Sequence, residues 1–427
     1  MGDFETAAGA IWASPRITED FTALCACGGR FAGTESERRA CEFMAQRLAE
    51  ATGGTVRREP VPYLGWDREP ARLELADGRG FAACALGRSP ATPAGGLHAE
   101  VIDLGRGIPA DFTLASDQIR GRIVLVRHEF YMASGHIHRR RKYELAKAAG
   151  AVGFLIACHL PGGLLVTGSG GGGGADEIPS AGISHEAGVA LAQAGGAVRL
   201  EIGGRFVDRV AENLLVDIPG RTDEWVVLSA HLDGHDFAQS AMDNGSGLIS
   251  ALAAAEALRD IVPRRRRGLR VAFFNVEEWW LIGSRVHLER LDPRERGKLA
   301  FNVNLDSVAG ASRLAVMTSG IPAADAILDQ VNRAYGLRMR RHRPFMSNSD
   351  HASFIEAGVP ALRLCAGLDE PESNLRFLLT PGDTPDKVDP TELKAAATAT
   401  AALVLAAIER DLAPLDAAAI DRTVNAV

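Results

Sequence analysis

The sequence predicts an α/β fold, a mostly parallel mixed sheet flanked by helices, with a β-rich module inserted into it. Three observations carry this expectation. The chain has 427 residues, more than one hydrophobic core usually supports. After Asn213 short apolar runs alternate with helical stretches, as in strand–helix units around parallel strands. From Gly65 to about Val207 the texture changes to short apolar runs with Gly and Pro between them. The expected boundaries are therefore 1–64 and 208–427 for the two parts of the larger domain and 65–207 for the insertion.

Ile17 to Glu50 reads as mostly helical. Thr34 to Leu48 places Ala40, Phe43, Met44 and Leu48 at helical spacing, with Arg and Glu between them. Gly28 to Thr34 is a turn leading into that helix, and Val56 to Leu64 is a strand. In the insertion, Arg120 to Val126 is a turn plus buried strand, Arg139 to Ala149 a helix and Ala151 to Ala157 a strand. Pro179 to Ser184, a helix from Glu186 to Ala194 and Ala197 to Ile202 complete it. Gly168 to Gly174 is nearly all glycine and reads as a flexible loop. The later strands are Leu214–Ile218, Trp225–Ala230, Leu269–Phe274, Ala300–Leu305, Arg313–Met317 and Pro360–Leu364. Pro390 to Ile408 is a closing helix capped by Asp389.

Hydrophobic content of 46% and charged content of 24% are ordinary for a soluble globular protein. A net charge of −7 argues against nucleic acid as the main partner. No apolar run reads as long enough to span a membrane. The N-terminal stretch carries Asp3 and Glu5 and lacks a basic-then-apolar signal pattern. Six cysteines show neither disulfide nor zinc-knuckle spacing, so a reduced, cytoplasmic protein is expected. The Arg264 to Arg267 run reads as a solvated turn.

Polar residues collect at strand ends, where open α/β sheets bind ligands. Trp225–Ala230 runs into His231 and Asp233, and a small-residue loop then delivers Asp243. Ser246 and Gly247 open an Ala/Leu-rich helix that continues to about Leu258. Leu269–Phe274 ends in Asn275, Val276, Glu277 and Glu278, and Ala300–Leu305 ends in Asp306. Ser349-Asp350-His351 precedes a helical stretch to Ala357. Each piece alone has an ordinary meaning: a solvated strand end, a surface Glu pair, an Asp-Asn-Gly turn. Together they ask for one explanation, because adjacent carboxylates after an apolar strand are costly unless exposed, paired or metal-bound. Two His with three or four carboxylates suit zinc, with cobalt or manganese as substitutes.

These pieces resemble the co-catalytic zinc exopeptidases of metallopeptidase family M28, which includes bacterial aminopeptidases and glutamate carboxypeptidases. The matching residues are His231-Leu232-Asp233, Asp243 to Gly247, Glu277-Glu278 with Gly283-Ser284, Asn304-Leu305-Asp306 and Ser349-Asp350-His351. The likeness continues through Gly29-Arg30, Gly33-Thr34, Thr380 to Thr384 and Asp386-Lys387, so it covers Ile17 to about Tyr63 and Asn213 onward. The intervening module resembles a protease-associated domain, by Gly121 to Val126 and Ala148 to Gly153. Carried over by position, the resemblance implies two zinc ions bridged by Asp243. His231 and Asp306 would complete one ion's protein ligands, and Glu278 and His351 the other's. Asp233 would hydrogen-bond His231 and fix its tautomer. Glu277 would be the general base, taking the proton of a metal-activated water and passing it to the leaving amine. A cis peptide after Asp243 is also implied.

Two departures stand out. Trp279 and Trp280 follow Glu278, whereas the family usually keeps a small residue two positions after that Glu, which places bulk beside the metals. Leu379, preceded by Leu378, stands where the family has a His before its late Thr-Pro, so an oxyanion donor is missing or replaced. His235, His342, Arg363 and Arg376 are the candidate replacements. The function that follows is a zinc-dependent exopeptidase acting on a short peptide or small amide, with an aminopeptidase first. A carboxypeptidase or N-acyl amino acid hydrolase on the same scaffold comes second. A glutaminyl-cyclase-like acyltransferase with one zinc and a non-catalytic receptor-like scaffold are the rivals from other classes. The complete ligand set counts against both. Oligomeric state is open, a homodimer among the choices.

Overall fold

The computed structural model describes residues 2–172, 174 and 176–424. Its strands, in chain order, are β1 (Arg57–Leu75), β2 (Gly80–Ala85), β3 (Leu97–Asp103), β4 (Ile123–Arg127), β5 (Gly153–Ala157), β6 (Ser180–Ile183), β7 (Ala197–Ile218), β8 (Trp225–His231), β9 (Gly268–Phe274), β10 (Leu299–Leu305), β11 (Leu314–Met317), β12 (Arg340–His342) and β13 (Ala361–Ala366). The chain divides into two compact units. One holds the residues up to Tyr63, Val210–Leu375 and those from Asp383 on; the other holds Leu64–Arg209 and Arg376–Gly382.

In the first unit β9, β8, β10 and β13 are parallel neighbours. Antiparallel β7 lies beyond β9, and β11, antiparallel to β13, carries β12 at the far edge. The sheet is mostly parallel, as the strand–helix alternation predicts. β9 and β13 are buried at every residue, so they do not alternate apolar with polar; each is apolar apart from one buried arginine, Arg270 and Arg363. Helix Gly247–Leu258 is buried everywhere except at Glu256 and Ala257, so Ala and Leu fill all its faces. Helix Pro390–Glu409 packs against it. Asp389 caps this second helix, its carboxylate accepting from Thr391 N at 2.8 Å, with Glu392 completing a capping box. By length and composition this helix is apolar enough to cross a membrane, which corrects the expectation that no stretch is. Alanine supplies much of its apolar content, which hides it from a search for Leu-rich runs. With 72% of its most apolar window buried, it serves here as a core helix.

In the second unit the order is β1, β2, β6, β5, β4, β3 and the start of β7. The strands from β6 to β3 are parallel and the outer pairings antiparallel. Val124, Val126, Tyr143, Phe154 and Ile156 lie in its hydrophobic core. Ala197–Ile202 and Leu214–Ile218, expected as separate strands, are the two ends of β7. Gly203 and Gly204 look like a break in the sequence, but they are glycine for packing. A Cβ on Gly204 would lie 2.5 Å from the Trp66 ring, and one on Gly203 2.6 Å from the Glu69 carboxylate. The glycine run differs from expectation as well. Gly170 N donates to Gly87 O and Gly87 N to Gly168 O, both at 2.8 Å, and Gly168 to Gly171 are buried. Gly173, in the same run, lies outside the described residues. Arg376–Gly382 also belongs to this unit, where Leu379 O accepts from Thr167 N at 2.8 Å.

Candidate active site

The candidate metal ligands, Asp233 and Glu277 all lie in the first unit. His231 closes β8, Glu277 and Glu278 follow β9, Asp306 follows β10, and His351 opens helix His351–Glu356. The chain from β8 to Asp243 is held by buried groups that bond its backbone. Arg30, fully buried at φ 61°, donates from Nε to Leu232 O at 3.0 Å, from Nη1 to Gln239 O at 2.9 Å and from Nη2 to Ser240 O at 2.7 Å. Asp383 accepts from Met242 N at 2.7 Å and from Asp243 N at 3.2 Å. The peptide between Asp243 and Asn244 is cis, as the resemblance implies. Asn244 then donates to Leu305 O at 2.8 Å, tying this turn to the end of β10.

Asp233 joins two strand ends. Its Oδ1 accepts from Glu277 N at 2.9 Å and its Oδ2 from Glu278 N at 3.2 Å. His231 Nδ1 lies 3.1 Å from the backbone oxygen of Asp233 and 3.7 Å from its Oδ1. The carboxylate is therefore chiefly a clamp on the two glutamate amides, a contact that spacing in the sequence does not signal.

His231 Nε2 is 3.1 Å from Asp243 Oδ1 and 3.7 Å from Asp306 Oδ1. His231, Asp243 and Glu278 each offer a ligand atom within 4.8 Å of the others, and so do His231, Glu277 and Asp306. Five candidates thus share one buried space. His351 stands in neither group. It is fully buried beside the Phe345 ring, at 6.2 Å between centroids, and neither ring nitrogen has a hydrogen-bond partner among the described residues.

Burial pushes the Glu277 carboxyl well above its ordinary range, and Glu278, Asp350 and Asp306 add to this against the pull of His231. Burial also raises Glu278, and it lifts Asp350 and Asp383 each to about 7. Asp306 moves the other way. Burial opposes its charge, but Arg363 Nη2, 3.2 Å from its Oδ2, and His231 hold it well below the usual range. The His231 imidazolium is favoured by Glu277, Asp233, Asp243 and Asp306 in spite of burial. Burial and the neighbouring Arg363 push His351 down to about 3, so its ring is neutral and free to act as a ligand. Buried carboxylates here outnumber buried cations. That imbalance, together with the unpartnered His351 ring, fits divalent cations held by mixed nitrogen and oxygen donors, the set zinc prefers.

The two departures from the family pattern resolve differently. Trp279 is 3% exposed and packs on Phe31 and Tyr63, at 5.1 and 5.9 Å between ring centroids. Trp279 is therefore a core residue, whereas Trp280, two positions after Glu278, is half-buried. Of the four candidate donors, His235 and Arg363 touch the site, at Glu278 and Asp306. His342 ends β12, and Arg376 lies over the Phe377 ring in the second unit.

A cluster of buried acids and histidines at the carboxyl ends of parallel strands defines a metal-dependent α/β enzyme with an inserted β-rich domain. The profile of peptidase family M28 matches residues 213–404, and that of the PA domain matches 86–191. Leucine aminopeptidase 2 of Trichophyton rubrum is 30% identical over 357 residues, 80% of this chain and 69% of that one. Carboxypeptidase Q of Xenopus laevis is 28% identical over 379 residues, 85% of this chain and 79% of that one. The solved structure of BSAP, a zinc aminopeptidase from Bacillus subtilis, is similar with a TM-score of 0.72 and 26% identity over 92% of this chain and 95% of that one. The chain belongs to peptidase family M28 and carries an inserted PA domain; it is a metallopeptidase, a hydrolase.

Proposed function

We propose that this protein is a zinc-dependent aminopeptidase that removes the N-terminal residue of short peptides at a two-metal site. The observation that carries the reading is the convergence of His231, Asp243, Glu277, Glu278 and Asp306 in one buried space. His231 and Asp306 would hold one ion, Glu278 and His351 the other, with Asp243 between them. Zinc bound there would supply Lewis acidity to a water and to the scissile carbonyl. Glu277 accepts the proton of the attacking water and delivers it to the leaving amine nitrogen. Its carboxylate shares the buried space of His231 and Asp306, within reach of a water held there. Asp233 holds Glu277 and Glu278 in register by their amides. The likeness to leucine aminopeptidase 2 and to a zinc aminopeptidase supports both the metal and the amino-terminal choice. Six free cysteines support a reducing, cytoplasmic setting.

A carboxypeptidase is the second reading, favoured by carboxypeptidase Q, of whose length this chain matches 79%. The test is dipeptide turnover with either the amine acylated or the carboxylate amidated, alongside zinc analysis. An aminopeptidase cleaves only substrates with a free amine. Cleavage of the acylated ones alone overturns that choice, and absence of bound zinc overturns the metal.

A further inference from the structure

The two-metal reading gives His235 no part, yet it stands beside the ligand set. It is 3% exposed, and its Nε2 lies 2.7 Å from Glu278 Oε1. The loop that carries it is fixed at several points. His235 N donates to Ser240 Oγ at 2.9 Å, and Gly234 N donates to Arg30 O at 3.0 Å. The Arg30 guanidinium holds Leu232 O at one end of the loop and Gln239 O and Ser240 O at the other. Gly29 leaves no space between the two segments, since a Cβ there would fall 1.9 Å from His235 O. Gly29, Arg30 and Ser240 therefore fix the direction in which His235 points.

Glu278 has two oxygens to place. Oε1 faces His235, and the carboxylate also offers an atom within 4.8 Å of ligand atoms of His231 and Asp243. A carboxylate anchored through one oxygen presents the other to a cation in a single orientation. We propose that His235 is a positioning residue of the metal centre, donating from Nε2 to Glu278 Oε1 so that the second oxygen is held for the cation. The inference rests on the zinc reading of this site. Partners of this kind are worth about 10–100-fold in metal affinity.

The test titrates zinc into the chelator-stripped full chain in competition with a chromophoric chelator. The cobalt(II) absorption spectrum of each protein is a second readout, and far-UV circular dichroism checks folding. The proteins are the wild type, His235→Ala, His235→Gln and, as a control, His98→Ala at an exposed histidine of the second unit. The wild type and His98→Ala should bind two ions alike. His235→Ala should lose about 10–100-fold in affinity for one ion, keep the other, and show an altered cobalt spectrum. His235→Gln, whose amide N–H can stand in for Nε2–H, should recover most of both. A His235→Ala protein with wild-type affinities and spectrum overturns the proposal. So does a Gln variant that loses as much as Ala, because His235 would then be a ligand or a packing residue. A wild type that binds no zinc overturns the metal reading itself, which separates that failure from failure of the role given to His235.

Discussion

Asp233→Asn discriminates between two ways in which this residue could serve the site. Both carboxylate oxygens accept a glutamate amide, at 2.9 and 3.2 Å, and the residue is fully buried. Asparagine offers one oxygen and one NH₂, so one amide loses its acceptor and faces a donor. A hydrogen bond to a charged group contributes about 1.5–3 kcal/mol, which corresponds to about 10–100-fold in a rate or binding constant. Because the two amides belong to Glu277 and Glu278, the loss should appear in both proton transfer and metal binding. The expected outcome is a fall of about 10–100-fold in kcat/KM on an aminoacyl-anilide that persists at saturating zinc, together with weaker binding of one ion. Asp233 acting only through His231 Nδ1, 3.7 Å from its Oδ1, would weaken metal binding alone. Turnover restored in full by excess zinc would therefore refute the clamp.

Glu277→Gln keeps shape and removes the base, so it should bind zinc normally while turnover falls about 10²–10⁴-fold. Glu278→Gln should instead lose affinity for one ion and regain activity in part at high zinc, and a reversal of the two results would exchange their roles. Arg363→Met removes a guanidinium 3.2 Å from Asp306 and should raise zinc affinity about tenfold or more while destabilising the metal-free protein; calorimetric titration and urea unfolding measure the two effects. Gly29→Ala would place a methyl 1.9 Å from His235 O, against backbone on both sides, and should lower the urea midpoint by an amount equivalent to several kcal/mol. Burial pushes His136 down to about 4 from 6.5 against the pull of Glu129, so the folded state binds fewer protons than the unfolded one. Its contribution is complete above about pH 6.5 and is lost as pH falls toward 4, on the order of 3 kcal/mol. His136→Gln should flatten that acid limb of the urea-midpoint profile, and parallel profiles would refute the assignment.

The part of the fold around the site was legible because β8, β9 and β10 are largely apolar runs of seven residues each. β8, β9 and β10 each begin and end within a residue of the stretch the sequence marks. The misreadings have physical causes. Gly203 and Gly204 resemble a turn, because a sequence cannot distinguish a glycine needed for positive φ from one needed to admit Trp66 and Glu69. β12, at three residues, is too short to give a periodic signal. Arg376–Gly382 joins the second unit through tertiary contacts alone, with no change of composition to mark the crossing.

The site shows the same division between visible and hidden. Its acids and histidines are conspicuous because polar residues at the ends of buried strands are costly without a purpose. What the sequence conceals is which of these acids face a cation and which face the backbone. Asp233, Asp306 and Asp383 look equivalent in sequence, each an acid beside a small-residue or apolar stretch. In the fold, Asp233 and Asp383 each accept two backbone amides, whereas Asp306 turns to His231 and Arg363. Arg30 is the counterpart with positive charge, spending its donors on three carbonyls. Backbone N–H and C=O groups are identical at every position, so partnerships with them leave no trace in residue type. The groups that aim the ligands are therefore invisible until the chain is folded. Variants at Asp233, Arg30 and Asp383 should accordingly disturb metal geometry more than their distance from any reacting atom suggests.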